Sequence, residues 1–174
     1  GKKRDQGTLR EVADLKGGMY AGSGVGVGGS GLLNLQAMDT AEKGGVIRRV
    51  IGGIDPQSTR VHGCKKPTPQ ELRHDFLWRI RRQLPETGII GVFDRSHYED
   101  VLIARVRGLA SKRKIEARYG QIVDFESELV ADGTTVIKVM LHISPGEQRE
   151  RLARRLDRPD KHWKYHPSDI DERE

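Results

Sequence analysis

Three separated groups of charged residues in this 174-residue chain have the types and order that suit the handling of phosphate. The first lies in LQAMDTAEKGGVIRRV, Leu35 to Val50, where the apolar run Leu32, Leu33 and Leu35 leads through a tight loop into a helix. Lys43, Gly44 and Gly45 fall in the first turn of that helix. Unpaired N–H groups at a helix start carry the positive end of the helix dipole and cradle phosphate oxygens, while a lysine neutralises charge. Ala41, Glu42, Lys43, Gly44 and Gly45 are therefore the expected phosphate cradle. Measured against GxxxxGK[ST], only Lys43 matches: Ala37 and Glu42 occupy both glycine positions, and Gly44 replaces the hydroxyl residue that normally holds magnesium. Glu42 is the misfit, a carboxylate where the backbone must pass close to phosphate. By itself the loop could equally be a lysine opening an ordinary surface helix.

The second group is a pair of carboxylates. If Leu32 to Leu35 and Ile89 to Phe93 are neighbouring central strands, Asp39 lies in the loop after one and Asp94 emerges from the end of the other. Both then face one cavity. Magnesium is a hard ion that takes oxygen ligands and commonly uses one or two carboxylates together with phosphate oxygens, so Asp39 and Asp94 suit it. The bland alternatives are a helix cap for Asp39 and a turn residue for Asp94. The third group is basic: between Glu147 and Lys164 there are seven basic residues against four acidic ones. Arg151 and Arg155 share a helical face, and Arg158, Lys161 and Lys164 lie in or beyond a turn marked by Pro159. Such a segment suits a lid over about residues 146–168 that closes on phosphate and excludes water. A solvated helix with ordinary charge pairs, such as Glu147 with Arg151, is the alternative.

These groups need elements to hold them in place. The helix from Lys43 should end near Gly52 and Gly53. TPQELRHDFLWRIRRQL has Thr68 as N-cap, Glu71 three residues later and apolar residues at 72, 76, 77, 80 and 84, which predicts one helix. Thr87 to Phe93 reads as a strand buried on both faces. A helix is expected over Tyr98 to Arg107, another over Gln121 to Val130 after a basic surface stretch SKRKIEAR, and a strand over Thr134 to Ile143. Strands alternating with helices imply a parallel α/β sheet, whose ligands bind beyond the carboxyl ends of the strands. Residues 1–31 are a polar, glycine-rich segment with one short helix near Thr8 to Leu15. The run Gly22 to Gly31 contains two overlapping GxGxxG matches, but with no strand before them they do not make a dinucleotide fingerprint. It reads as a linker or a damaged strand.

Length and composition narrow the classes further. The size suits a single domain, here placed at residues 32–174. The net charge of +6 and pI near 9.6 imply a polyanionic partner. Aromatic residues make up only 5% of the chain, too few for the stacking platform of a single-strand binder, so nucleic acid is not expected. The lone cysteine, Cys64, fits a reducing cytoplasm and excludes a disulfide framework. No apolar run approaches the ~20 residues needed to span a bilayer, and the first twelve residues lack a secretory core, so no membrane partner is expected.

With the pieces in this order, the chain resembles the family-2 polyphosphate kinases, specifically their polyphosphate:nucleotide phosphotransferase subgroup. The resemblance runs from about Leu32 to the end, through QAMDTAEKGGVIRRVIGGIDPQ, PTPQELRHDFLWRI, FDRSHYEDVL, GTTVIKVMLHIS and RLDRPDKHWKY. It implies a P-loop kinase-like three-layer α/β/α fold with a mainly parallel central sheet and a helical lid. It also implies transfer of phosphate between inorganic polyphosphate and a nucleotide (ADP, GDP or AMP), with Mg2+ or alternatively Mn2+, in a homo-oligomer. Carried over by position, Lys43 would bind phosphate, Asp39 and Asp94 would position the metal, and Arg95 would hold the phosphate chain. Arg151, Arg155, Lys161 and Lys164 would belong to the lid. Family members carry glycine where this chain has Glu42, and they continue well past the position of Glu174, so C-terminal helices are expected to be absent from this chain. Glu42 makes a weak or impaired kinase the expectation. The rival readings are an ATP-dependent nucleoside monophosphate kinase and a non-catalytic polyanion- or nucleic-acid-binding relative.

Overall fold

The computed structural model describes residues 29–38, 40, 41, 43–157, 159 and 160. Among them are four strands, β1 (Ser30–Ala37), β2 (Thr59–Gly63), β3 (Ile90–Asp94) and β4 (Thr134–Leu141). The helices are α1 (Lys43–Ile51), α2 (Trp78–Arg81), α3 (Glu99–Val106), α4 (Lys112–Ala131) and α5 (Pro145–Leu156), with short 3-10 turns at Pro56–Ser58 and Glu71–Arg73. The sheet order is β2-β3-β1-β4 and every pairing is parallel. β1 and β3 are thus the neighbouring central strands expected from sequence, with Leu35 in register against Asp94.

A parallel strand in the middle of a sheet must bury both faces, and β1 does so. Leu33 packs with Ile90, Val92 and Ile54 under α1 on one face. Leu32 packs with Phe93, Phe125, Leu129 and Ile80 under α2 and α4 on the other. A further cluster, Val101, Ala104, Ile115 and Ile122, joins α3 to α4. The result is helices on both sides of a parallel sheet, the α/β arrangement anticipated. Because all four strands point the same way, their carboxyl ends open onto one edge of the sheet, where the loops after β1 and β3 lie side by side.

Several local expectations need correction. The helix predicted over Thr68 to Leu84 is broken into a 3-10 turn and the single-turn α2. Its capping box does form, with Glu71 Oε2 accepting from Thr68 N at 2.7 Å and Thr68 Oγ1 accepting from Glu71 N at 3.3 Å. The chain then extends at His74, and Asp75 Oδ1 takes the N–H of Leu77 at 2.9 Å, a local side-chain bond that competes with continuing the helix. The basic stretch read as surface before Gln121 is itself helical. Ser111 caps it by accepting from Lys114 N at 3.3 Å, so α4 runs twenty residues from Lys112. β2 has no counterpart among the expected strands. At the glycine-rich run, Ser30 and Gly31 are already part of β1, while the helix expected near Thr8 to Leu15 lies outside the described residues.

Candidate functional site

The site builds outward from the ends of β1 and β3. α1 starts at Lys43, as expected, and the lysine side chain reaches across to β3, where Nζ lies 2.6 Å from Asp94 Oδ1. One cation and one carboxylate, 51 residues apart in sequence, therefore meet at the mouth of the sheet. Gly44 is exposed, and a Cβ built on it would meet nothing within 4 Å, so the first turn of α1 presents open backbone to any anion lying over it. Ala41 is buried, and its N–H bonds to Met38 O at 3.1 Å. Gly45 is half-buried in the same turn. Asp39 and Glu42 lie outside the described residues.

Two residues in these loops take a left-handed backbone that side chains other than glycine seldom adopt, Thr40 (φ 64°) and Arg95 (φ 65°). Such conformations persist when neighbours over-determine them. Arg95 N donates to Leu35 O at 3.1 Å, and the next two residues, Ser96 and His97, are fully buried. The Arg95 side chain is exposed, with Nη1 3.9 Å from Glu99 Oε2. Gln36 completes this corner. With its amide oxygen accepting from Ser96 N (2.9 Å) and Oγ (3.0 Å), its nitrogen donates to Glu99 Oε1 at 2.8 Å, the orientation that satisfies both ends. Burial raises the Glu99 carboxyl above its usual range, with Arg95 and Lys43 pulling the other way.

The helix α5 touches the first loop directly. Arg151 Nη1 donates to Thr40 O at 3.0 Å while its Nε pairs with Glu147 Oε1 at 2.6 Å. The ordinary Glu147–Arg151 pair thus forms, and the same guanidinium spans to the loop after β1. Hydrogen bonding from Arg151 holds the Glu147 carboxyl below its usual range. Ser144 Oγ caps α5 by accepting from Glu147 N at 3.2 Å, which aims the helix so that Arg151 faces Thr40. Arg155 is half-buried one turn further on. Arg158, Lys161 and Lys164 lie outside the described residues.

The described residues bring together Lys43, Asp94 and Arg95, and tie Arg151 to the same loop. They also add Gln36, Thr40, Ser96 and Glu99, none of which was singled out from sequence. Asp94 offers a hard oxygen ligand, and no described group of three or more His, Cys, Asp or Glu side chains converges to hold a metal without help. A donor set of this kind suits an ion that shares its coordination with phosphate and water. Cys64 is buried, and burial pushes its thiol up to about 11, so it takes no part as a nucleophile. Among the described residues no helix is long and apolar enough to cross a membrane.

Comparison with known proteins gives this geometry a lineage. The family described as Polyphosphate kinase 2 matches residues 27–174. The AMP/ADP-polyphosphate phosphotransferase of Meiothermus ruber is 47% identical over 142 residues, covering 82% of this chain and 53% of that protein. The ADP-polyphosphate phosphotransferase of Rhodopseudomonas palustris is 44% identical over 178 residues, covering 95% of this chain and 60% of that one. The crystal structure of polyphosphate kinase 2 from Arthrobacter aurescens superimposes with a TM-score of 0.84 at 50% identity, over 97% of this chain and 60% of that one. The chain therefore spans between half and two thirds of the length of each.

Proposed function

This chain belongs to the polyphosphate kinase 2 family, and from that premise we propose that it carries the phosphate-binding half of a reaction moving a phosphoryl group between inorganic polyphosphate and a nucleoside di- or monophosphate. The observation that carries the reading is the Lys43–Asp94 pair at the carboxyl ends of β1 and β3, under the open first turn of α1. In the direction of nucleotide synthesis, a terminal phosphate oxygen of the nucleotide attacks the end phosphorus of polyphosphate in line. A new P–O bond forms, the bridging P–O bond breaks, and its electron pair leaves on the shortened polyphosphate. The attacking oxygen is already anionic, so no strong general base is needed and the protein acts by positioning and neutralising.

Each residue then has a defined task. Lys43 and the α1 amides of Gly44 and Gly45 hold the transferring phosphate. Arg95 holds the polyphosphate chain, and Arg151, Arg155, Lys161 and Lys164 cover it from the lid. Asp94, with Asp39, would hold Mg2+, which when bound would neutralise phosphate charge. Before substrate arrives, Lys43 and Asp94 neutralise each other. The carboxylate is about a third exposed, so the pair contributes only ~1 kcal/mol or less and separates readily when phosphate takes the lysine. Self-association and work in the cytoplasm fit this role.

The deciding experiment measures magnesium-dependent phosphate transfer from polyphosphate to ADP, GDP and AMP, with ATP as an alternative donor. Transfer from polyphosphate supports the reading. Transfer from ATP but not from polyphosphate replaces it with a nucleoside monophosphate kinase. Polyphosphate binding with a steep salt slope, indifferent to magnesium and nucleotide, replaces it with a polyanion-binding protein.

A further inference from the structure

Behind the site, on the α4 side of the sheet, a carboxylate gathers three polar partners, two from the turn after β3 and one from β4. Glu126 projects from the middle of α4 and is buried, its side chain only 10% exposed. Its Oε1 accepts from Tyr98 Oη at 2.8 Å and lies 3.3 Å from His97 Nε2. Its Oε2 accepts from Lys138 Nζ at 2.7 Å. Burial would raise such a carboxyl, but the hydrogen bonds from His97, Lys138 and Tyr98 outweigh burial and bring it down to about 2. The group is therefore an anion at neutral pH, and the Nε2–H tautomer of His97 is the one that would donate to it. A buried carboxylate is costly unless well paired, and none of these four residues belongs to the chemistry already described.

What the cluster holds is the turn after β3. Arg95 sits in its left-handed conformation between two fixed ends. On one side its N–H is bonded to β1 and Asp94 is in register with Leu35 and Gly63. On the other, Ser96 is fastened to Gln36, and His97 and Tyr98 are fastened to Glu126. A left-handed non-glycine residue is strained and relaxes if one end is released. We propose that Glu126 is a positioning residue for phosphate recognition: it clamps His97 and Tyr98 to α4 so that Arg95 is held in the strained turn that points its guanidinium at the phosphate chain. Lys138 balances the charge of the clamp from β4, leaving its own half-exposed ammonium partly in water.

The inference rests on the proposed role of Arg95 in holding polyphosphate, and its test separates the two. Glu126→Gln keeps an acceptor for Tyr98 but loses the charge. Tyr98→Phe removes one donor and leaves Glu126 paired to Lys138. Leu129→Val, one turn along α4 in the apolar core, serves as a control that loosens packing without touching the clamp. Binding of magnesium-polyphosphate and of ADP is measured by titration well below each variant's thermal midpoint, together with amide hydrogen exchange at residues 95–98. Glu126→Gln should weaken polyphosphate binding about tenfold, the size of one charge-assisted hydrogen bond, and Tyr98→Phe less. ADP binding should move by less than about threefold, a difference of under 1 kcal/mol. Exchange at 95–98 should quicken in both variants and stay unchanged in Leu129→Val. Unchanged polyphosphate affinity and unchanged exchange in Glu126→Gln would overturn the proposal, as would equal losses for the control. If the unsubstituted chain binds no polyphosphate, the functional reading fails, and the exchange comparison alone decides whether Glu126 holds the turn.

Discussion

The two loops that meet at the mouth of the sheet are held by opposite means. The turn after β3 is fixed from behind by buried polar contacts: Gln36 on Ser96, Glu126 on His97 and Tyr98, with Ser96 and His97 wholly out of solvent. The loop after β1 is held from in front by charge. Lys43 leans on Asp94, and Arg151 reaches in from α5 to the Thr40 carbonyl. Buried hydrogen bonds are expensive to leave unmade, whereas part-exposed ion pairs exchange partners at little cost. One side is thus built to stay, and the other is built from contacts that an incoming polyanion can take over.

The largest effect should come from removing the charge on the exchangeable side. Lys43→Ala should lower phosphate transfer from polyphosphate by about a hundredfold to a thousandfold, the usual loss for one preorganised donor at developing phosphate charge. Its thermal midpoint should stay within a few degrees, because the pair it breaks is partly solvated. A large loss of stability with modest loss of rate would invert the comparison, making Lys43 structural.

The buried side makes a prediction in pH. Glu126 has its folded pKa depressed from 4.5 to about 2. A depressed carboxyl contributes stability that is complete above its unfolded pKa and fades as pH falls through the folded value, so the window runs from about pH 4.5 down to 2. The contribution at neutral pH is about 3 kcal/mol, from a drop of roughly 2.5 pH units at about 1.4 kcal/mol each. The difference in unfolding free energy between the unsubstituted chain and Glu126→Gln, followed by denaturant titration, should therefore shrink steadily across that window. A difference that stays constant with pH would mean the clamp is neutral.

Glu42→Gly addresses what the exchangeable side lacks. The sequence resemblance implies glycine at this position, and removing the carboxylate next to Lys43 in the chain should raise transfer to ADP or AMP by roughly tenfold to a hundredfold. No gain in a folded sample would shift the cause of any weak activity away from this residue.

The contrast between the two sides also explains what the sequence revealed. Lys43 and Asp94 were legible because their signals are local: an apolar run, then a loop, then a helix start for one, and a buried strand ending in a carboxylate for the other. The parallel sheet followed from the same alternation. β2 was missed because TRVHG is a five-residue edge strand with two exposed basic or apolar positions and no apolar run. The helix over Thr68 to Leu84 was misread because its apolar spacing is helical, while Asp75 takes the Leu77 N–H and breaks it locally. The clamp could not be read at all. Glu126 meets Tyr98 across 28 residues and Lys138 across 12, and nothing in the spacing of a glutamate on a long helix says which strand or turn it will find.

The smallest expected effect tests whether the β1 loop stores strain of its own. Thr40 is β-branched, left-handed, and buries an Oγ1 that has no hydrogen-bond partner among the described residues. Glycine adopts that backbone freely and removes the unpaired hydroxyl, while the carbonyl that Arg151 holds is unchanged. Against this, glycine adds roughly 0.5–1 kcal/mol of unfolded-chain entropy. The unpaired hydroxyl and the left-handed backbone together cost more than that, so Thr40→Gly should stabilise the chain by about 1 kcal/mol, read as a rise in thermal midpoint. If the strain serves phosphate binding, the same variant should bind polyphosphate more weakly while melting higher. A variant that melts lower would show that the Thr40 side chain supports the loop, and the front side would then be built from packing as well as charge.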